Sequence, residues 1–292
     1  RPRPEELAGM LDTYSKLGPN LKSKKDQPTP ICFGMPFDGR NRISPIYPIT
    51  TLILLSYQKP VVLNGGKRMP VKYGVTSIEL FNSLGLNLKG ISMQILQKGF
   101  EDNGLAFIYQ PDHFPLADTL IEYRDQIGKR PPIASMELLW TAHKGEHLII
   151  TGYVHEPTEE RAWETLQISG EKNIISIKGI EGGIDLPISR QSLIGKISQG
   201  QLDRLVFNSR DYDLFGKDKK WENIEEWKID ALAALNNHGP LRKNVIWNGG
   251  IYLWLAGITD SLNAGLAKAE ECLRDGIAKR TLDNLIKWRN NI

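Results

Sequence analysis

Two stretches of the 292-residue chain combine residue types that hold anions. The first is Phe33-Gly34-Met35-Pro36-Phe37-Asp38-Gly39-Arg40-Asn41-Arg42, and the second is Asn64-Gly65-Gly66-Lys67-Arg68-Met69-Pro70-Val71-Lys72-Tyr73-Gly74. Each leaves a short apolar run and enters a helical pattern. Glycine allows a ligand to approach the backbone, and Arg or Lys supplies charge-assisted hydrogen bonds to phosphate or carboxylate. Gly34, Asp38, Gly39, Arg40 and Arg42 of the first loop, with Asn64, Gly65, Gly66, Lys67, Arg68 and Lys72 of the second, are therefore candidate ligand residues around a positively charged crevice. An anion is the natural occupant. The competing interpretation, glycines serving tight turns in solvated loops, carries equal weight on the residues alone. Neither loop has the P-loop spacing or the dinucleotide fingerprint, so the glycines establish no nucleotide motif.

Other chemistry-bearing residues point less clearly. His113 and His155 stand beside loop-like residues with no second His or Cys at ligand spacing, which speaks against a metal. Asp211, Asp213 and Asp218 lack the glycine and the closing glutamate of a calcium loop and read as a solvated turn. Trp221 and Trp227 have the spacing of residues packed beside a helix. No nucleophile elbow is present. Cys32 and Cys272 are far apart and outside any C-x-x-C spacing, so they read as buried small residues.

The elements that must position these residues alternate. Strands are expected at Ile31 to Phe33, Pro60 to Leu63, Leu105 to Ile108, His147 to Tyr153 and Asn173 to Lys178. Helices are expected at Ile49 to Tyr57, Ser77 to Leu84, Phe114 to Ile127 and Thr158 to Ser169. Such alternation predicts an α/β fold, a mostly parallel central sheet flanked by helices. In open sheets of this kind the ligand crevice lies at the carboxyl ends of the strands, where both glycine-bearing loops fall. A first helix is expected behind Pro4 and ends near Gly18. Ile224, Trp227, Ala231 and Leu235, then Leu262, Leu266, Ala269 and Leu273, mark two or more closing helices. The expected organisation is a hinge helix and linker over 1–25, an α/β domain over 26–292, and a helical insertion around 111–140.

Composition excludes several classes. Apolar, charged and glycine fractions are those of a globular protein, and no window approaches the roughly 18 unbroken apolar residues of a membrane span. A cytoplasmic protein without membrane attachment is expected. The formal charge of +3 does not by itself imply nucleic acid, because a binding footprint is a local stripe of cations.

Several segments together resemble the anthranilate phosphoribosyltransferase family, glycosyltransferase family 3, over nearly the whole chain. Glu5-Glu6-Leu7-Ala8-Gly9 is similar to the family's helix before the hinge. Tyr123-Arg124-Asp125-Gln126-Ile127-Gly128-Lys129-Arg130 is similar to its arginine-containing substrate helix. Asn248-Gly249-Gly250-Ile251-Tyr252-Leu253-Trp254-Leu255-Ala256-Gly257, with Asp260-Ser261-Leu262 and Gly265, is similar to its closing helices. The resemblance implies a nucleoside-phosphorylase-like catalytic domain with a small helical part, substrate-binding roles for Arg124 and Arg130, and magnesium as cofactor if the protein is catalytic; His113 is a further candidate ligand residue.

Departures from the family pattern carry the functional expectation. The family's GTGGD loop holds the pyrophosphate of phosphoribosyl pyrophosphate; here it reads Phe33-Gly34-Met35-Pro36-Phe37-Asp38, where Pro36 lacks a donor and Met35 and Phe37 fill space. The KHGN motif becomes Leu63-Asn64-Gly65-Gly66, without its lysine and histidine. The magnesium-holding acidic pair falls near Glu181 and Asp185, with Leu186 in the place of a glutamate. Losing one preorganised donor costs on the order of 3 kcal/mol of transition-state stabilisation. Tryptophan-pathway catalysis is therefore not expected, although Arg124 and Arg130 are retained. Gly179-Ile180-Glu181-Gly182-Gly183 resembles the divergent YbiB-like branch, which implies a homodimer that binds nucleic acid without catalysis. Three readings follow: a non-catalytic member binding a polyanion through Arg40, Arg42, Lys67, Arg68 and Lys72 with Lys22, Lys24 and Lys25; an active transferase or phosphorylase with another phosphorylated-sugar or nucleoside substrate; and a protein-interaction scaffold on a retired enzyme fold.

Overall fold

The computed structural model describes residues 2–198 and 200–292. Its strands are β1 (Leu21–Lys22), β2 (Ile31–Phe33), β3 (Val61–Gly65), β4 (Leu105–Tyr109), β5 (His143–Lys144), β6 (Leu148–Gly152), β7 (Asn173–Ile177), β8 (Ser192–Ser198) and β9 (Gln201–Phe207). Seven of them form one sheet in the order β4-β3-β2-β6-β7-β8-β9. The five from β4 to β7 are parallel, while β8 and β9 run antiparallel. The expected mostly parallel α/β sheet is thus present, and all five expected strands lie in it. Burial on both faces explains their continuous apolar runs: every residue of β2, β3 and β4 is buried.

Helices cover both faces. The expected first helix is present as Pro4–Leu17, with Pro4 in its first turn, and lays Leu7, Leu11 and Tyr14 on the core. Tyr47–Ser56 is buried almost all round, enclosed by the closing helices Arg242–Leu255 and Ile277–Asn290. The expected helix Phe114 to Ile127 is instead two short pieces, Pro115–Asp118 and Leu120–Ile127, and Pro115 sets the first of them off from the preceding short helix Gln110–His113. Two features lie outside the sequence expectation. The linker segment Leu21–Lys22 pairs in parallel with His143–Lys144 to make a separate two-stranded sheet. A helix at Met93–Asn103 is capped by the Ser92 hydroxyl and ended by Gly104 in the left-handed region. No helix among the described residues is long and apolar enough to cross a membrane.

One closing helix positions the site directly. Asn248, fully buried on Arg242–Leu255, accepts the Leu186 N–H at 2.8 Å and donates to the Leu186 carbonyl at 3.0 Å. The Tyr252 hydroxyl donates to the Ile184 carbonyl one turn later. These bonds clamp the loop after β7, and the family-like Asn248 to Tyr252 segment has that task.

Candidate functional site

Strands β3 and β4 extend the sheet to one side of β2, and β6 and β7 extend it to the other, so the order of the parallel strands reverses between β2 and β6. Loops diverge at such a point and leave a crevice beyond the strand ends. A cleft of about 960 Å³ opens there, lined by Gly152, Tyr153, Val154 and His155 after β6, Glu181 and Gly182 after β7, and Arg130, Arg161, Glu6 and Met10.

The two glycine-bearing loops do not open into this cleft as free cradles. They are stitched together: Arg40 N–H donates to Val75 O at 3.2 Å, and Val75 N–H donates to Arg40 O at 2.8 Å. Gly39, at φ +77°, lies so close that a Cβ would fall 2.5 Å from the Gly74 carbonyl carbon, and a Cβ on Gly74 would fall 2.4 Å from the Arg40 nitrogen. A Cβ on Gly34 would collide with the Leu138 carbonyl oxygen. These glycines serve backbone packing, the simpler of the two interpretations. Gly65 ends β3 against Phe107, and Gly66 faces Met69 and Gln110. Met35 and Phe37 are both buried, 2% and 3% exposed, so the first loop is filled by its own side chains.

Arg40 was expected to face a ligand, but it is buried and bound internally. Its guanidinium pairs with Asp185 and donates to the Ile43 carbonyl at 3.2 Å, while its Nε lies 3.7 Å from Glu181. Glu181 also accepts backbone N–H groups from Asn41, Arg42 and Ile43 at 3.3, 3.1 and 3.0 Å. Asp185 accepts the Ile46 N–H at 2.8 Å. Burial raises the Asp185 pKa, and the Arg40 charge beside it opposes that rise. Glu181 and Asp185 were expected as metal ligands. Their donor set does not fit a magnesium ion: the guanidinium and four backbone donors take up both Glu181 oxygens and Asp185 Oδ2, and the one unpartnered oxygen, the buried Asp185 Oδ1, falls short of the near-octahedral oxygen ligation that magnesium demands.

Other buried charges beside these loops also find oppositely charged partners within the protein. Asp38 is 1% exposed, with Lys72 Nζ at 3.7 Å and Arg130 Nη1 at 3.5 Å. Arg124 pairs with Glu137, both buried. Burial pushes the Glu137 carboxyl up to about 7, against the opposing influence of Arg124. Burial also lowers the Lys72 pKa, partly offset by Asp38. Asp38, Glu137, Glu181 and Asp185 thus face Arg40, Lys72, Arg124 and Arg130 in a balanced ionic cluster, not the positive ring expected. At the surface, Lys67 pairs with Asp118 at 2.9 Å and Arg68 with Glu79 at 2.7 Å. Asn64 is buried and donates to the Trp140 carbonyl at 3.1 Å.

His113 has no ring nitrogen left for a ligand. Its Nδ1 accepts the Tyr109 N–H at 2.9 Å, which puts the proton on Nε2, 2.7 Å from the Ile91 carbonyl oxygen. Lys22, Lys24 and Lys25 precede β2 and lie at the amino end of the sheet, away from the crevice, which removes them from any single footprint with Arg42. Arg42, Lys129 and Arg161 remain exposed or half-exposed, with no ion pair among the described residues. Arg161, Tyr153 and the buried Glu137 were missed in the sequence. The first two are signalled by the strand-end rule that singled out the other loops, since Gly152 ends β6 and Tyr153-Val154-His155 lead into the helix Glu156–Ile168, whose second turn carries Arg161.

Comparison with known proteins agrees with this architecture. Residues 48–279 match the model of the glycosyl transferase family, a/b domain. The chain is 24% identical over 255 residues to anthranilate phosphoribosyltransferase of Aromatoleum aromaticum, covering 86% of this chain and 73% of that one. It is 26% identical over 259 residues to the Acidovorax sp. (strain JS42) enzyme, covering 87% and 74%. Among solved structures it is similar to anthranilate phosphoribosyltransferase from Thermus thermophilus, with TM-score 0.79, 19% identity, and coverage of 99% and 86%. It is also similar to the Saccharomyces cerevisiae enzyme in complex with PRPP and Mg, with TM-score 0.81, 14% identity, and coverage of 99% and 81%. The family match spans most of the chain and the fold is shared along nearly its whole length, so this protein belongs to the glycosyl transferase family of the anthranilate phosphoribosyltransferases.

Proposed function

We propose that the protein is a non-catalytic member of this family that binds a polyanion, nucleic acid, at the mouth of its strand-end cleft without magnesium. The observation that carries this reading is Arg40, whose buried guanidinium takes up Asp185 and Glu181. A magnesium-bound diphosphate presents a positive ion to acidic groups and charged oxygens to free donors. Here the acidic groups already hold a cation of the protein's own, and Met35 and Phe37 fill the loop that would cradle phosphate. Arg161 and the partly exposed Arg130 line the cleft, and Arg42, whose N–H binds the cleft-lining Glu181, and Lys129 beside Arg130 stand next to lining residues; these cations suit a backbone of phosphates. The homodimer belongs to the same reading. It is supported by an apolar groove of about 680 Å³ where Met10, Leu17 and Leu116 are exposed, and sedimentation equilibrium tests it.

A labelled single-stranded oligonucleotide titrated at two salt concentrations tests the binding. Each neutralised phosphate steepens the log–log salt slope by roughly 0.7 on single strands. Binding that is absent, or indifferent to salt, overturns the polyanion. Thermal unfolding with phosphoribosyl pyrophosphate and magnesium tests the other half. A ligand at a hundredfold excess over its dissociation constant stabilises by about 2.7 kcal/mol, so a shift of that order overturns the filled, magnesium-free cradle on which the non-catalytic reading rests.

A further inference from the structure

Away from the cleft, three residues distant in sequence converge. Successive side chains of a strand point to opposite faces, so Cys32 lies on the face of β2 opposite Phe33, which packs edge-on against Tyr252. On the Cys32 face stand His143, which belongs to the small parallel sheet, and His147, which precedes β6. All three are buried, and one thiol or ring-nitrogen atom from each lies within 4.8 Å of the others. The Nδ1 atoms of His143 and His147 are 3.4 Å apart. That separation is the edge of a tetrahedron: two metal–nitrogen bonds of about 2.0–2.1 Å at the tetrahedral angle place their nitrogens about 3.4 Å apart.

The outward nitrogens face polar groups of the kind that flank metal-binding imidazoles. His143 Nε2 is 2.9 Å from the Ser23 hydroxyl, and His147 Nε2 is 3.0 Å from a Glu171 carboxylate oxygen. Such partners fix the ring orientation and turn the other nitrogen inward. The Gly145 carbonyl oxygen lies 2.9 Å from His147 Nδ1 and offers an oxygen beside the cluster. His147 and Glu171 border clefts of about 630 and 340 Å³, which give an entry path.

We propose that Cys32, His143 and His147 form a site for a zinc-class divalent ion, with Glu171 and Ser23 as positioning residues and the fourth place taken by water or the Gly145 carbonyl. One thiolate and two imidazoles favour zinc or cobalt over magnesium or calcium, which prefer oxygen. Coordination releases the Cys32 thiol proton to solvent, and each imidazole binds through Nδ1 with its one proton on Nε2, facing Ser23 in His143 and Glu171 in His147. The ion would tie central strand β2 to the junction of β5 and β6, at the opposite end of β6 from the Tyr153 to His155 loop.

Cobalt(II) titrated into the purified full chain tests this. The expected result is one ion per chain, a thiolate-to-cobalt charge-transfer band, and displacement of that cobalt by zinc. Cys32→Ser should remove the band while Cys272→Ser leaves it intact. Should Cys32→Ser fail to fold, Glu171→Gln at a half-exposed position provides the second arm: it should keep the circular dichroism spectrum and weaken zinc binding about 10- to 100-fold. A folded native chain that shows no such band at equimolar cobalt overturns the site, and so does a zinc affinity unaltered by Glu171→Gln.

Discussion

The Arg40 guanidinium is bound to the Asp185 carboxylate at a position where neither side chain exceeds 2% exposure. Breaking a buried pair by removing one partner leaves the other charge without compensation and costs about 3–5 kcal/mol. Arg40→Met should therefore lower stability by that amount in urea unfolding. Adding Asp185→Asn removes the stranded charge and keeps an acceptor for the Ile46 N–H, so the double variant should recover most of the loss. A single variant within about 1 kcal/mol of the native chain would show that the pair carries little of the loop's stability.

The same pair predicts a response to metal. With Arg40→Gly the oxygens of Asp185 and Glu181 lose their internal cation, and a divalent ion becomes a reasonable replacement. Magnesium should raise the melting temperature of Arg40→Gly and leave that of the native chain where it was. Equal shifts in both proteins would mean that the ion binds elsewhere.

Much of the framework was legible because burial writes a simple pattern. Strands β2, β3, β4, β6 and β7 are short apolar runs between turn residues, and each was located to within about two residues, the usual uncertainty of element ends. The hairpin of β8 and β9 was missed because β9 is largely exposed and carries Asp203 and Arg204 amid its apolar residues. The helix Met93–Asn103 carries legible end signals, Ser92 as N-cap and Gly104 in the left-handed region. The site was less legible for a different reason. Whether an arginine faces a ligand or an internal carboxylate depends on a partner 145 positions away, as with Arg40 and Asp185, and no local pattern contains that information. The cluster of Cys32 with His143 and His147 is hidden in the same way: only the His143 to His147 spacing is local.

The buried carboxyl of Glu137 predicts an unusual pH dependence. Its pKa rises from an ordinary 4.5 to about 7 on folding, so the folded protein binds more protons than the unfolded chain between those values. Its contribution is present below pH 4.5 and is lost as pH rises through about 7. His113 works in the other direction: burial lowers its pKa from 6.5, so its contribution is present above that value and is lost as pH falls below it. The two oppose each other in mildly acidic solution. Glu137→Gln should therefore make stability climb more steeply with pH between 4.5 and 7 than in the native protein, read by denaturant unfolding across that range. An unchanged profile would mean that Arg124 keeps Glu137 ionised throughout.

Arg161 separates the cleft from the rest of the basic surface. It lines the cleft on the helix Glu156–Ile168 and makes no ion pair among the described residues, so its removal breaks no internal contact of that kind. Surface substitutions of this sort usually change stability by less than about 0.5 kcal/mol. If phosphates lie along the cleft mouth, Arg161→Ala should weaken oligonucleotide binding and flatten the log–log salt slope by roughly 0.7. Lys25→Ala provides the contrast: its charge lies at the amino end of the sheet, and its loss should leave the slope unchanged. Should Lys25→Ala flatten the slope and Arg161→Ala not, the polyanion binds at the amino end of the sheet and the cleft serves some other ligand.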